Sequence, residues 1–322
     1  MNHRLTILIC THDRRELLLR ALDYLNRAKR PKGWQIDILV MANACNDDTL
    51  EQLKYFAKAS PDGLPLRWEE APIPGKSNAL NQAIPLLTSD LTAFVDDDHR
   101  VAKDYLEQVC AAAEQYPEAG LFCGRILPDW DGSEPDWIHD QGPYRIYPLP
   151  VPRFDQGEEP KVLTPEVAIP GGGNLFLRTS WLHKTGPFST DLGPVGHDLG
   201  GSEDLDWILR AQGLGAVLQY VPAVVQYHYV NTSRFTVPYM MKKSYTRSAS
   251  IIGLEGRKDR PGVPRYLYRK LAQYLFKAMT ALNQDRRRFY LIRTAAALGE
   301  IKGHREWKAK PVTTQSQETP DS

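Results

Sequence analysis

Four short apolar runs in the first hundred residues constrain the fold more than any other feature of the sequence. A polar loop follows each run, and apolar residues then recur at the spacing of one helix face. Repeated strand–helix pairs favour right-handed crossovers and a mostly parallel central sheet with helices on both faces. We therefore predict an α/β fold in which the loops after the strands gather at one edge. The four runs are Leu5–Cys10, Ile36–Met41, Leu66–Trp68 and Leu91–Val95.

Two of the predicted helices begin with residues that are typical of helix caps. Asp13 and Glu16 have the spacing of a capping box, and Asp48 with Glu51 repeats it. Both pairs precede residues at helical spacing, so we expect these acids to cap the first two helices.

The fourth apolar run ends at three consecutive carboxylates, Asp96, Asp97 and Asp98. Three adjacent like charges repel each other and need a compensating partner. Carboxylates suit Mn²⁺ or Mg²⁺, which often join protein carboxylates to a substrate diphosphate. The alternative is a solvated acidic turn ahead of a helix that begins near Lys103, because Asp favours turns and helix starts.

A second acidic segment follows two glycines at Gly200 and Gly201. Glu203 and Asp204 stand in the first turn of a predicted helix, where the helix dipole favours acids, so capping alone explains them. The glycines before them indicate an accessible approach, which favours a chemical role. Ser202 is the expected N-cap, and the expected buried face is Leu205, Ile208 and Leu209.

Composition bounds the class of protein. The chain has 322 residues, 42% of them hydrophobic and 25% charged, with a net charge of +1, which is typical of a globular protein and gives no argument for a nucleic-acid partner. No apolar run approaches the roughly 18 residues of a membrane span. The cysteines lack metal-site spacing and are expected to be reduced thiols, which predicts a cytoplasmic protein. They are Cys10, Cys45, Cys110 and Cys123.

The middle of the chain is a long segment rich in Pro, Trp, Tyr and Asp. Trp130, Trp137 and Tyr144 could stack on the sugar rings of an acceptor, or could simply pin the loop. After it, three glycines at 171–173 precede Asn174 and allow the backbone to approach a ligand closely.

Several of these segments, in this order, resemble the inverting family-2 glycosyltransferases of the GT-A fold. The resemblance extends over nearly the first hundred residues and, through two later segments, to about His228. The matching segments are Ile7–Arg14, Ile38–Thr49, Gly75–Asn81, Phe94–Asp98, Gly173–Asn174 and Glu203–Asp204.

The resemblance implies a metal-dependent, hexosyltransferase-like enzyme of polysaccharide biosynthesis. It would move a sugar, with inversion, from a nucleotide donor to a hydroxyl of a glycan or lipid-linked acceptor. Asp204 would be the catalytic base beside Glu203, and the DxD element would bind Mn²⁺ or Mg²⁺ through Asp98 and Asp96, with His228 as a further ligand or as a structural residue. The expected donor contacts are Thr11, Asp13, Arg14, Asn43, Lys76, Asn78, Asp96, Asp97 and Asn174.

One departure concerns the nucleotide base. Many relatives carry an Asp at the end of the second strand that recognises uracil, but this sequence has Ala42 followed by Asn43. A UDP-sugar remains the favoured donor, with GDP- and dTDP-sugars as alternatives. The competing functions are a catalytically silent nucleotide-sugar-binding protein and a sugar nucleotidyltransferase. The latter typically has a glycine-rich loop after its first strand, which Thr11–Arg14 is not.

The predicted organisation has three parts. Residues 1–232 form the catalytic domain, with a nucleotide-sugar-binding part over 1–100 and an acceptor-binding part over 101–232. Residues 233–307 form a basic helical extension, and 308–322 a disordered tail. Helices that mix Lys and Arg with Leu, Tyr and Phe can lie on an anionic membrane, which would place the protein on the inner face of the cell membrane. The alternative is that they pack on the catalytic domain.

Overall fold

The computed structural model describes residues 3–146, 149, 151–191, 203–254 and 262–306. The chain forms two compact units. The first comprises Met1–Asp129 and Val151–Val230, and the second Trp130–Pro150 and Asn231–Ser322. Ser202, the expected helix cap, and the tail 308–322 lie outside the described residues. The functional division at residues 100, 232 and 307 stays a prediction.

All nine strands of the described ranges belong to the first unit's mixed sheet, whose order is β3-β2-β1-β4-β8-β6-β9-β5, with β7 also paired to β9. All four apolar runs are strands, as predicted. The strands are β1 (His3–Thr11), β2 (Trp34–Asn43), β3 (Leu66–Ala71), β4 (Leu91–Phe94), β5 (His99–Val101), β6 (Leu121–Asp129), β7 (Lys161–Leu163), β8 (Leu175–Arg178) and β9 (Leu218–Tyr229).

The helices of the described ranges divide between the two units. The first six belong to the first unit and the last three to the second. They are α1 (Arg15–Arg27), α2 (Thr49–Ala59), α3 (Lys76–Ala83), α4 (Tyr105–Gln115), α5 (Ser180–Thr185), α6 (Glu203–Gly213), α7 (Val237–Leu254), α8 (Arg265–Met279) and α9 (Gln284–Glu306).

The parallel arrangement predicted for the first four strands is confirmed. β1 pairs in parallel with β2 and β4, and β2 pairs in parallel with β3. Beyond β4 the sheet mixes directions, because β8 is antiparallel to both β4 and β6, and β5 is antiparallel to β9. The carboxyl ends of β1 to β4 therefore share one edge, and β5 turns back beside it.

Two apolar clusters lie on opposite faces of the sheet, which confirms helices on both sides. Alternate residues of β1 point to opposite faces, so that Ile7 packs in the cluster that contains α1 and α4, whereas Leu8 packs in the cluster that contains α3 and α6. The predicted apolar face of α1 is fully buried. It consists of Leu18, Ala21, Leu22 and Leu25.

The cap predicted for α1 is wrong, and the one predicted for α2 is right in position only, since Asp48 is the N-cap residue but its side chain does not cap the helix. Asp13 does not bond to the start of α1; its Oδ1 accepts the backbone N–H of Asn46 at 2.6 Å. Asp48 precedes α2 but makes no cap hydrogen bond, because its carboxylate binds the guanidinium of Arg15 and the side-chain amide of Gln52. In both cases a partner distant in sequence holds the carboxylate.

The predicted buried face of α6 is only partly right. Ile208 is buried, but Leu205 and Leu209 are each 39% exposed. Trp207 takes their place because its ring stacks on Phe188 at 5.2 Å and its Nε1–H donates to the carbonyl of Gly186. The helix ends at the predicted glycines, with Gly215 at φ +93°.

In the second unit, α9 packs against both α7 and α8. A Cβ at Gly299 of α9 would lie 2.1 Å from the carbonyl oxygen of Tyr245 in α7, so the two helices cross closely there. None of the helices in the described ranges combines the length and the apolar character that a bilayer crossing requires.

Candidate active site

The loops after β1 and β4 meet at the carboxyl edge of the sheet. The hydroxyl of Thr11 donates to Oδ2 of Asp97 at 2.8 Å. Nη1 of Arg14 lies 3.2 Å from Oδ1 of Asp97 and 3.0 Å from Oδ2 of Asp98. The first and fourth loops are therefore joined through charged hydrogen bonds, and two predicted donor contacts touch the triplet directly.

The alternative of a solvated acidic turn is wrong. Asp97 is 5% exposed, and short strand β5, rather than a helix, follows the triplet directly. The carbonyl of Asp98 accepts the backbone N–H of Tyr229, which fixes the turn to β9. The carboxylates are thus held against the sheet.

Lys76 stands at the start of α3 and supplies a second cation. Its Nζ lies 2.8 Å from Oδ1 of Asp96. Burial alone would lower the pKa of Lys76, but Asp96 and Asp204 raise it well above its ordinary value. Burial also works against the charge of Asp96, yet Lys76, together with the nearby histidines, brings the pKa of this carboxyl below its usual range. Both groups are charged at neutral pH.

Asp97 differs from its neighbour. Burial, followed by repulsion from Asp98, raises the pKa of Asp97 to about 6, although Arg14 and the hydroxyl of Thr11 oppose the shift. Arg14 alone therefore does not neutralise the negative charge of Asp97 and Asp98.

Asp204, at the start of α6, lies beside the glycine turn that precedes β8. Its Oδ2 accepts the backbone N–H of Gly172 at 2.9 Å. A Cβ at Gly172 would lie 2.4 Å from Oδ1 of the same carboxylate, so a side chain at this position would displace it. Glu203 is buried, with 2% exposure. The glycine turn therefore approaches a protein carboxylate, and Asp204 is the partly exposed acid of the pair.

A candidate cation site lies at the third carboxylate of the triplet. One ligand atom each of Asp98, His99 and His228 lies within 4.8 Å of the others. Burial lowers the pKa of His228. The nearby His99 lowers this pKa further, whereas the carboxylate of Asp98 raises it. Two imidazoles and a carboxylate are suitable donors for a divalent transition-metal ion. Asp96, the other predicted ligand, is engaged by Lys76.

Two predicted donor contacts are buried amides. Asn43 accepts the backbone N–H of Gly75 and donates to the carbonyls of Ala71 and Ile73. The amide of Asn174 donates to the carbonyls of Arg125 and Val224 and accepts from Gln226. Both side chains hold loops around the site.

The remaining predicted donor contacts are Asp13, on the loop after β1, and Asn78, in the first turn of α3. Asp13 has φ +51°, and Ala44, across from it on the loop after β2, has φ +47°. Such backbone angles cost energy in residues with a Cβ and often mark ligand-binding loops. Asn78 donates to the carbonyl of Pro74.

Sequence reasoning missed His99 and Gln226. His99 pairs with His228 in the antiparallel register of β5 and β9, and Nδ1 of His99 lies 2.6 Å from Oε1 of Gln226. The available signal was Gln226, a polar residue two positions before His228 in the same strand, since residues two apart share a face. The register itself could not be read from the sequence.

The aromatic residues of the middle segment belong to the second unit, where they support the pinning interpretation. Trp130 packs on Phe235, and Trp137 lies under the guanidinium of Arg288 at 4.4 Å. Tyr144 packs edge-on against a ring of α9.

Comparison with known proteins assigns the chain to a family. The sequence profile described as Glycosyl transferase family 2 matches residues 6–186, more than half of the chain. A curated relative, the glucosyl-dolichyl phosphate glucuronosyltransferase of Haloferax volcanii, is 25% identical over 122 residues. The match covers 38% of this chain and spans only 37% of the relative.

Solved structures show the same fold. The mannosyltransferase PcManGT from Pyrobaculum calidifontis, in complex with GDP-Man and Mn²⁺, superposes with a TM-score of 0.57 at 16% identity, covering 94% of this chain and 87% of the other. S. aureus TarS 1–349 in complex with UDP-GlcNAc gives 0.53 at 12% identity, covering 94% and 90%. The predicted GT-A fold is confirmed.

Proposed function

Since this chain belongs to glycosyl transferase family 2, we propose that it is a metal-dependent, inverting glycosyltransferase. It moves a sugar from a nucleoside diphosphate donor to a hydroxyl of a glycan or lipid-linked acceptor. The observation that carries this proposal is the convergence of the carboxylate triplet, Lys76 and Asp204 at one edge of the sheet.

The charges of the site support diphosphate binding. Lys76 and Arg14 form ion pairs with the triplet and can each bind a phosphate oxygen. A divalent cation held by Asp98 and His228 would neutralise charge on the leaving diphosphate. Thr11 and Asn43 support these loops, and Asn174 holds the base of the glycine turn.

Asp204 is the proposed base. Its carboxylate is partly exposed and is oriented by the N–H of Gly172, so that its other oxygen can accept the proton of an acceptor hydroxyl. The hydroxyl oxygen attacks the anomeric carbon as the bond to the diphosphate breaks, and a single displacement inverts that centre. Buried Glu203 would position the start of α6.

A lipid-linked acceptor would explain the second unit. Helices α8 and α9 carry ten Lys and Arg residues against three Asp and Glu. The apolar tip of this hairpin is exposed and comprises Leu275, Phe276, Met279 and Leu282. Basic helices with exposed apolar side chains suit an anionic membrane surface. The name of the Haloferax relative, which contains dolichyl phosphate, supports the same class of acceptor.

Thermal-shift measurements with a nucleotide panel test the proposal. UDP, GDP, dTDP and ADP are each added with Mn²⁺ or with EDTA, because a bound ligand raises Tm by mass action. We expect one diphosphate to raise Tm only with Mn²⁺, and transfer of its sugar to follow. Binding without transfer to any lipid or glycan acceptor would favour the silent binding protein.

A further inference from the structure

We propose that His99 is a direct ligand of the divalent cation, together with Asp98 and His228, in the place that the sequence pattern assigned to Asp96. The proposal rests on the metal-dependent function above and specifies its ion. A site with two imidazoles and one carboxylate selects Mn²⁺ over Mg²⁺, because imidazole suits transition metals whereas Mg²⁺ prefers oxygen ligands.

The hydrogen bond to Gln226 sets the tautomer of His99. Its side chain is buried, and Nδ1 lies 2.6 Å from Oε1 of Gln226. The amide of Gln226 has a fixed orientation because its Nε2 donates to the carbonyl of Phe94 at 3.0 Å. Oε1 is therefore an acceptor, Nδ1 of His99 carries the proton, and Nε2 presents its lone pair to the carboxylates. A hydrogen bond that orients a ligand in this way is typical of metal-binding histidines.

His228 is oriented by the same device. Its Nδ1 donates to the backbone carbonyl of Tyr229 at 2.6 Å, so Nε2 again presents a lone pair. The two Nε2 atoms lie near different oxygens of Asp98, that of His228 at 3.6 Å from Oδ2 and that of His99 at 3.9 Å from Oδ1. Both distances are longer than the donor–acceptor distance of a hydrogen bond. A single cation with bonds of about 2.1–2.2 Å joins ligand atoms that lie about 3–4.4 Å apart.

Asp96 and Gly173 lie beside His99 and favour it as the ligand. Asp96 is bound through Oδ1 by Lys76, which makes it the partner of a protein cation. A Cβ at Gly173 would lie 2.8 Å from Cε1 of His99 and 2.6 Å from Oδ2 of Asp96. Gly173 thus makes room for the imidazole, as Gly172 does for the carboxylate of Asp204. Nη1 of Arg14 lies 3.0 Å from Oδ2 of Asp98 and helps to hold this carboxylate in place.

The test uses the intact protein and Mn²⁺ alone. Electron spin-echo spectroscopy of the Mn²⁺-loaded wild type detects directly bound nitrogen, and we expect two coupled histidine nitrogens. In His99→Asn, whose side-chain amide can still donate to Gln226, we expect only one coupled nitrogen. Calorimetry of this variant should show at least tenfold weaker Mn²⁺ binding, with little change in Mg²⁺ binding. His183→Asn, an exposed histidine on α5, is the control and should match the wild type.

The outcomes separate this proposal from the function above. One coupled nitrogen in the wild type, or unchanged Mn²⁺ affinity in His99→Asn, overturns the role of His99 and leaves a metal-dependent transferase in place. The spectrum of the wild type decides even where the variant fails to fold. If the wild type binds no Mn²⁺, with or without a nucleoside diphosphate, the metal-dependent function and the ligand assignment are both wrong.

Discussion

Gly172 donates its backbone N–H to Oδ2 of Asp204 at 2.9 Å, and its missing side chain leaves room for Oδ1 of the same carboxylate. The glycine turn therefore sets the position of the proposed base. The position of the Asp204 carboxylate and its ability to take a proton can therefore be tested separately, by Gly172→Ala and by Asp204→Asn.

The first prediction concerns placement. Gly172→Ala would put a Cβ 2.4 Å from Oδ1 of Asp204 and displace the carboxylate. A misplacement of about 1 Å can lower a rate about 10²-fold, so we expect kcat to fall by that order while the donor Kd changes little. Gly171→Ala is the matched control, since a Cβ there meets nothing within 4 Å. Equal rates for the two variants would contradict the prediction.

The second prediction concerns the base itself. Asp204→Asn keeps the shape of the side chain but cannot take the proton, so transfer should fall about 10²–10⁴-fold with the donor Kd unchanged. Glu203→Gln changes a buried side chain and should mainly lower Tm. Steady-state rates, donor titrations and thermal unfolding of both variants provide the measurements. If only Glu203→Gln lost transfer, the assignment of the base would move by one residue.

The third prediction concerns pH. Burial, reinforced by Asp96, Asp97 and Asp204 and opposed by Lys76, raises the pKa of the Cys10 thiol to about 12. The thiolate reacts with iodoacetamide, so at pH 8 the folded protein should be alkylated at Cys10 about a thousandfold more slowly than the chain unfolded in guanidinium. Because the pKa is raised, the stability contributed by the thiol is lost as pH rises from 9 toward 12. Peptide mass spectrometry measures the rate of alkylation at Cys10. Equal rates in the folded and the unfolded protein would refute the prediction.

The local features of the site could be predicted from the sequence because they depend on local patterns. An apolar run that ends in three carboxylates indicates a strand that ends at the edge of the sheet, and this inference does not depend on distant parts of the sequence. The cap assigned to Asp13 failed because amides 33 and 34 residues further along the chain bind its carboxylate. His99 was missed for a similar reason, since its pairing with His228 depends on the register of two distant strands.

The fourth prediction concerns the nucleotide base. Because the amide of Asn43 is used to hold residues 71–75, Asn43→Ala should weaken UDP, GDP and dTDP by a similar factor rather than change their order. It leaves the buried N–H of Gly75 without its acceptor, which costs about 1–3 kcal/mol of unfolding free energy. Asn46→Ala, on an exposed loop residue, is the control. If Asn43→Ala lost UDP binding but kept GDP and dTDP binding, Asn43 would instead recognise the base.

The fifth prediction concerns the membrane. The protein should sediment with phosphatidylglycerol vesicles at low salt and be released at high salt, because screening weakens the attraction of the basic helices to the lipid headgroups. Phe276 is 63% exposed and Leu282 fully exposed at the hairpin tip, so changing each to Ser should weaken binding about tenfold. Tyr55→Ser removes an exposed aromatic ring of the first unit and should have no effect. Arg287→Gln should reduce binding mainly at low salt. If the wild type stays in solution with anionic vesicles at low salt, the surface of these helices has another purpose and the acceptor need not be a lipid.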